Sequence, residues 1–90
     1  MKNITFKTIA GRSHSQLFCE NDFFEYFLHC GVHGLEIKNS VALYLNNINE
    51  AVFNADVPYD SVLPESIEYE FDKEFQKRYF EINDLLKFNI

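Results

Sequence analysis

The stretch SIEYEFDKEFQKRYFEINDLLK, residues 66–87, contains two hydrophobic periods in succession. Its first six residues alternate between polar and apolar side chains, which is typical of a strand that buries one face. After Asp72 the apolar residues recur every three or four positions, which is typical of one face of a helix. The sequence therefore predicts a strand over 66–71 and a helix over 73–87, with Asp72 at the helix N-cap. The helical spacing also extends back to Ile67, so one longer helix is the alternative.

Upstream of this stretch, apolar and β-branched runs predict further strands around one more helix. Asp22 stands three positions before Glu25, which is the spacing of a helix capping box, so we predict a helix over 22–31. Residues 46–60 are interrupted by Asn, Asp and Pro, and we predict that they form connecting structure. The predicted strands, of which the last two would form a hairpin, lie at 4–10, 17–19, 35–38 and 41–45.

Together these elements predict a single small acidic α+β domain over residues 1–90. Its antiparallel sheet would have four to five strands, and the two helices would pack on one face. Apolar residues make up 47% of the chain and include ten Phe and five Tyr, which is enough bulky material for one small core. Phe23, Phe27 and Cys30 share one face of the first predicted helix, so we expect these three side chains in that core.

The net charge of −6 lies entirely in the second half of the chain. Residues 1–47 carry four acids and four bases, whereas residues 48–90 carry ten acids and four bases. No basic residue stands between Lys38 and Lys73. Like charges on a small folded surface repel one another, so this concentration favours a basic partner or a role in solubility. The shortage of bases argues against direct binding to nucleic acids or anionic membranes, whose phosphates are contacted by Lys and Arg.

The acids within the predicted strand and on either side of it are the candidate partner-binding residues. In a strand, Glu68, Glu70 and Asp72 stand on one face, each about 6.6 Å from the next. That spacing is on the scale of consecutive phosphates along a nucleic-acid strand, so the row would fit a basic groove built for nucleic acid. Glu65 and Asp60 extend the row along the chain. The alternative is an ordinary solvated face that keeps an edge strand soluble.

These features predict a non-enzymatic, cytoplasmic binding or inhibitor protein. Its acidic second half would dock on a basic surface of a larger protein, either a nucleic-acid-handling enzyme or a basic toxin. The amino terminus lacks the apolar segment of a secretory signal, and the longest apolar run, at 41–45, is too short to span a bilayer. Small acidic inhibitors such as phage anti-restriction and anti-CRISPR proteins, toxin-immunity proteins and antitoxins share this size and charge. No sequence motif supports that likeness, and an origin in a phage or mobile element is compatible with it.

Two other functions are compatible with the sequence. A small metal- or redox-responsive regulator would use the clustered ligands Cys19, His29, Cys30 and His33, although the chain has no Cys-x-x-Cys pair. An accessory subunit of a larger assembly would carry its acids only as a solvated surface. We expect no cofactor, no bound metal and no catalytic residues, because no catalytic motif surrounds Cys19 or Cys30 and the chain has no P-loop or dinucleotide-binding motif.

The aromatic content exceeds what one small core obviously needs. Phe24 and Phe80 are therefore candidates for contact with a partner or a second subunit, since aromatic residues are enriched at interfaces. A homodimer is compatible with this reading, and the alternative is that all the aromatic side chains are core. We expect both cysteines to be free thiols, because two cysteines do not make a disulfide framework.

Overall fold

The computed structural model describes residues 2–88, which form two strands and three α-helices. The chain is α+β, but the prediction of four to five strands and two helices is wrong, because the sheet has two strands. None of the helices in this part of the chain has both the length and the apolarity needed to cross a bilayer. The elements are β1 (Lys2–Lys7), β2 (Ser13–Phe18), α1 (Glu20–Cys30), α2 (Ile37–Asp56) and α3 (Lys73–Phe88).

Helix α2 occupies the region predicted as a hairpin at 35–38 and 41–45 and as connecting structure at 46–60. The alternation at 35–38 is only four residues long. That is too short to distinguish a strand from the residues around the start of an amphipathic helix. In a helix Val41, Tyr44 and Leu45 fall on one face, whereas a strand would place Tyr44 on the opposite face from Val41 and Leu45. The apolar side chains that α2 buries in its first half include Val41, Tyr44 and Leu45.

A buried hydrogen-bonded group ties the beginning of α2 to α3. The Tyr79 hydroxyl donates to the carbonyl of Leu35 at 2.6 Å, and the Ser40 hydroxyl lies 2.6 Å from the same phenolic oxygen. Because the Tyr79 hydrogen is directed at Leu35, Ser40 donates to Tyr79. Ser40 was predicted in a turn between two strands, but it satisfies a buried polar group inside the helical core.

Strands β1 and β2 form an antiparallel hairpin that pairs Lys2 with Phe18 and Lys7 with Ser13. Gly11 lies in the turn with φ of +83°, a conformation that glycine adopts without steric penalty. One face of the hairpin packs on the helices and the other faces solvent, so burial alternates along β1 and β2. Both strands predicted in this region are therefore present, with shifted ends.

Residues 61–72 run antiparallel along the other edge of β1 without forming a third strand. A short 3-10 turn at Pro64–Ser66 interrupts the pairing, and the Ser66 hydroxyl accepts the Lys7 N–H at 2.8 Å in place of a backbone carbonyl. The prediction of a strand over 66–71 is therefore wrong, although the backbone is extended there. Two isolated bridges join the segment to β1, at the pairs Thr8–Val62 and Thr5–Glu68.

Helix α3 buries the stripe that its spacing predicts, and α1 buries Phe23 and Phe27 of its predicted stripe. The helix predicted over 73–87 is present with one further residue, and the helix predicted over 22–31 spans Glu20–Cys30. The predicted capping box at Asp22 and Glu25 is wrong, because the N-cap is Cys19 and no side chain caps this end of the helix. The two helices meet through stacked aromatic rings, and the side chains that they bury are Phe23, Phe24, Phe27, Phe75, Tyr79 and Ile82.

Cys30 is exposed, so its predicted place in the core is wrong. It is the last residue of α1, and Gly31 then directs the chain away from the helix in an extended conformation. The Gly31 backbone packs directly against the ring of Phe27, where an added Cβ would collide. Phe27 and Gly31 therefore close this end of the core, and Cys30 lies outside it.

Candidate partner-binding surface

Four exposed acidic side chains lie on the segment that leads into α3. From residue 67 the backbone is extended and alternates, with Ile67 buried and Tyr69 and Phe71 packed against the core. The acids between and after them therefore project to solvent on the opposite side. This alternation was predicted from the sequence and is confirmed, although the regular strand is absent. We define the acidic surface as Glu65, Glu68, Glu70 and Asp72.

Within the described part of the chain, no ion pair neutralises the acidic surface. The single ion pair within residues 2–88 joins Arg12 to Asp60. Glu68 accepts one hydrogen bond through its side chain, from the Thr5 hydroxyl at 3.4 Å. Uncompensated charges fixed on one surface create a negative potential that attracts a basic partner and raises its rate of association.

Tyr69 links the acidic surface to a further acid, Glu20, at the start of α1. The Tyr69 hydroxyl donates to Glu20 Oε2. Burial, this hydrogen bond and the charges of Glu20, Asp72 and Glu70 raise the pKa of the Tyr69 phenol. The phenol therefore remains a neutral donor, and the negative field extends from the segment to α1. Sequence reasoning missed Glu20 because it stands 49 residues from Tyr69.

Asp60 lies outside the acidic surface, although the sequence places it in the same row. Its side chain is 0% exposed, and its Oδ2 lies 2.8 Å from Arg12 Nη2. Its Oδ1 accepts the backbone N–H groups of Ala10 and Ser61, each at 3.0 Å. Asp60 therefore fastens the β1–β2 turn to the segment after α2 and is not available to a partner. No local signal marks this pairing, because Arg12 stands 48 residues away.

We expect Asp60→Asn to lower the melting temperature at neutral pH, because Arg12 would lose its buried partner. Burial opposes ionisation of Asp60, but hydrogen bonds from Thr8, Ala10 and Arg12 and the Arg12 charge outweigh it, so its pKa lies below the ordinary value. This stabilisation is complete above the unfolded carboxyl pKa of about 3.9 and is lost as the pH falls through the lowered folded pKa. Melting curves of parent and variant should therefore converge in acid. Equal melting temperatures at neutral pH would contradict the assignment.

Asp72 is the N-cap of α3, as the sequence predicts. Its Oδ1 accepts the Phe75 N–H at 2.8 Å, and its carbonyl accepts the Gln76 N–H at 3.0 Å. The carboxylate satisfies a backbone donor of the first turn and suits the positive end of the helix dipole. Asp72 therefore has a structural role besides its charge. A test of partner binding is cleaner when it changes only Glu65, Glu68 and Glu70.

We expect Asp72→Ala to lower the free energy of unfolding by about 1 kcal/mol, the usual effect of removing an N-cap side chain. Asp72→Asn should retain most of the stability, because the amide oxygen accepts the same hydrogen bond. Urea unfolding of the two variants measures this, with Glu70→Ala as the matched control on the same segment. An Ala variant as stable as the Asn variant would show that the cap contributes nothing.

The cysteines and histidines do not converge on a metal site. Among the residues that the structure describes, no three His, Cys, Asp or Glu side chains are placed to hold an ion. Cys19 and Cys30 are free thiols at opposite ends of α1. The third histidine of the chain, His14, packs between Phe6 and Phe53, and its ring centroid lies 5.5 and 4.8 Å from theirs. The geometry therefore gives no support to a regulator built on these ligands.

The two aromatic candidates for an interface differ in exposure. Phe24 is buried against Phe75, with ring centroids 4.7 Å apart, and the Arg78 guanidinium lies over the Phe24 ring, 4.6 Å from its centroid. Phe24 is therefore core, and its predicted availability to another chain is wrong. Phe80 is 53% exposed and remains accessible.

No family model, no curated protein and no solved structure matches this chain. Its function is therefore inferred from the charge, burial and contacts of its own residues. Among these, the acidic surface is the feature that combines exposure, fixed geometry and uncompensated charge.

Proposed function

We propose that this protein is a non-enzymatic inhibitor that docks its acidic surface on a basic surface of a larger protein and blocks it. One observation carries the proposal: the exposed acids Glu68, Glu70 and Asp72 follow one another along an extended segment, Glu65 stands in the turn before it, and no base among residues 2–88 forms an ion pair with any of the four. Such an arrangement opposes folding through repulsion between the charges. A partner that supplies the missing positive charge would offset that repulsion.

The partner class follows from the form of the acidic surface. Alternate side chains of an extended segment are about 6.6 Å apart, a spacing on the scale of consecutive phosphates in a nucleic-acid strand. A groove whose Lys and Arg side chains contact phosphates would therefore accept these carboxylates. We propose a nucleic-acid-handling enzyme or a basic toxin as the target. A cytoplasmic location and an origin in a phage or mobile element belong to the same proposal.

The segment that carries the acidic surface is held in place before any partner binds. Glu68 is fixed by two backbone hydrogen bonds to Thr5, and Asp72 by the cap of α3. Between them Tyr69 and Phe71 pack against the core. A surface that is already ordered loses little conformational entropy on binding, which supports its use as a docking site.

Capture from an extract of the native host tests the proposal. The baits are the parent chain, a variant in which Glu65, Glu68 and Glu70 are all changed to Lys, and a matched control. The control changes three exposed acids on the helices to Lys, so that both variants have a net charge of zero instead of −6. Its positions are Glu25, Glu50 and Glu81.

We expect the parent and the control to retain the same basic protein and the acidic-surface variant to lose it. Mass spectrometry identifies the protein, and circular dichroism confirms that both variants fold. A partner retained equally by all three baits would reject the acidic surface as the binding site. A partner lost from both variants would show that only net charge matters.

A further inference from the structure

The directions of the backbone hydrogen bonds identify a free edge of the sheet. Thr5 donates to the Glu68 carbonyl at 3.3 Å and accepts the Glu68 N–H at 2.8 Å. The backbone groups of Thr5 therefore point away from β2, and Thr5 and its opposite residue Ser15 form a pair without mutual hydrogen bonds. The N–H and C=O of Ser15 consequently point away from β1. The same alternation applies to Ser13 and Leu17.

This free edge has none of the features that usually protect one. Within residues 2–88 the outward backbone groups of Ser13, Ser15 and Leu17 have no hydrogen-bond partner. Exposed edges are commonly guarded by charged side chains, prolines or bulges. The β2 sequence, SHSQLF, contains no charged residue and no proline. An unguarded edge of this kind is a template for the addition of another strand.

Two exposed apolar side chains of α2 lie on the same side as this edge. Around the helix, Asn46 contacts the segment beyond β1, Phe53 contacts both strands, and Asn49 contacts β2 alone. At about 100° per residue, the next exposed apolar side chains in that rotation are Val52 and Ile48. They are 60% and 48% exposed, and the sheet formed by residues 2–88 has no strand beyond β2 on that side.

We propose that the β2 edge, together with Val52 and Ile48, binds a second copy of this chain. In the register centred on Ser15, this residue faces its own symmetry mate, and Ser13 faces Leu17 of the second copy. All three outward-pointing residues then exchange backbone hydrogen bonds, and the two hairpins become one four-stranded sheet. The two-fold axis brings Val52 and Ile48 of both copies to the same side of the junction, where they cover one another.

Charge favours a second copy over another partner at this edge. Because β2 carries no charged side chain, pairing two copies of it places no like charges opposite one another. The first 47 residues, which include β2, carry equal numbers of acids and bases. The acidic surface lies beyond the opposite edge of β1 and stays accessible in the dimer. A basic partner would be attracted there, and the β2 edge offers it no opposite charge.

Light scattering after size exclusion, at micromolar and near-millimolar concentration, tests the dimer. We expect the parent to reach twice the 10.6 kDa of one chain as the concentration rises. Ser15→Pro removes an outward N–H, a change that edge strands tolerate, and Val52→Lys places a charge at the junction. Both variants should remain at the mass of one chain. Leu85→Lys, at a 55% exposed position on α3, is the matched control and should still dimerise.

Amide hydrogen exchange supplies a second measurement if Ser15→Pro does not fold. Exchange at Ser13, Ser15 and Leu17 should slow as the parent concentration rises, and it should not slow in Val52→Lys. A parent chain that stays at 10.6 kDa throughout would overturn the proposal. A dimer that survives both Ser15→Pro and Val52→Lys would also overturn it, since it would use another surface.

Discussion

Replacing Phe27 with Ala is expected to lower the free energy of unfolding by about 3–5 kcal/mol. The Phe27 ring is 1% exposed and stacks on Tyr79, with centroids 4.6 Å apart and planes inclined by 8°. It also stacks on Phe23 at 5.8 Å. Gly31, whose backbone also packs against the ring, has no side chain that could move into the space. Truncation therefore leaves a cavity between α1 and α3 that the surroundings fill poorly, which is what makes such changes severe.

Urea unfolding of Phe27→Ala and Phe80→Ala provides a matched comparison of the same chemical change. Phe80 is 53% exposed, so its truncation removes far less buried area, and we expect a loss of about 1 kcal/mol or less. A Phe27→Ala variant with the parent's unfolding midpoint would show that the packing described for α1 is incorrect. A larger loss at Phe80 than at Phe27 would lead to the same conclusion.

Changing Glu65, Glu68 and Glu70 together to Lys is expected to abolish tight binding to the captured partner. Reversing three charges converts attraction into repulsion at each contact, and the rate of association should fall on the order of 10- to 1000-fold. The side chains face solvent and none of them caps a helix, so the variant should melt close to the parent. The control changed at Glu25 and at two further helix positions should bind as the parent does.

Sequence reasoning predicts α1 and α3 but misses α2, the longest helix of the chain. The stripe through Phe75 and Tyr79 repeats over four turns, and the capping residue Asp72 marks where it begins, so α3 is predicted within one residue. The α2 region has no comparable cap, and its Asn residues individually disfavour a helix. The structure shows why the helix forms there nevertheless. Asn49 donates to the Leu45 carbonyl one turn back and also to Gln16, so tertiary contact overrides local preference.

The candidate surface was predictable only where its signal is local. Alternation with buried residues is a property of neighbouring positions, and it correctly places Glu68 and Glu70 on the solvent side. Whether an acid is free or paired depends on which base the fold brings to it. Asp60 contacts Arg12, which is 48 residues away in the sequence, and no pattern near either residue indicates that contact. The surface predicted from the sequence therefore includes one residue too many, because the Asp60 carboxylate is buried.

The salt dependence of the association rate between the parent chain and its isolated partner tests the proposed docking most directly. Exposed charges attract one another over a distance that shrinks as salt is added, to about 10 Å at 0.1 M ionic strength. We predict that the parent's association rate constant falls steeply with added salt. For the variant changed at Glu65, Glu68 and Glu70, the rate should be low at every salt concentration. Equal rate constants for the two proteins, unchanged by salt, would contradict the account.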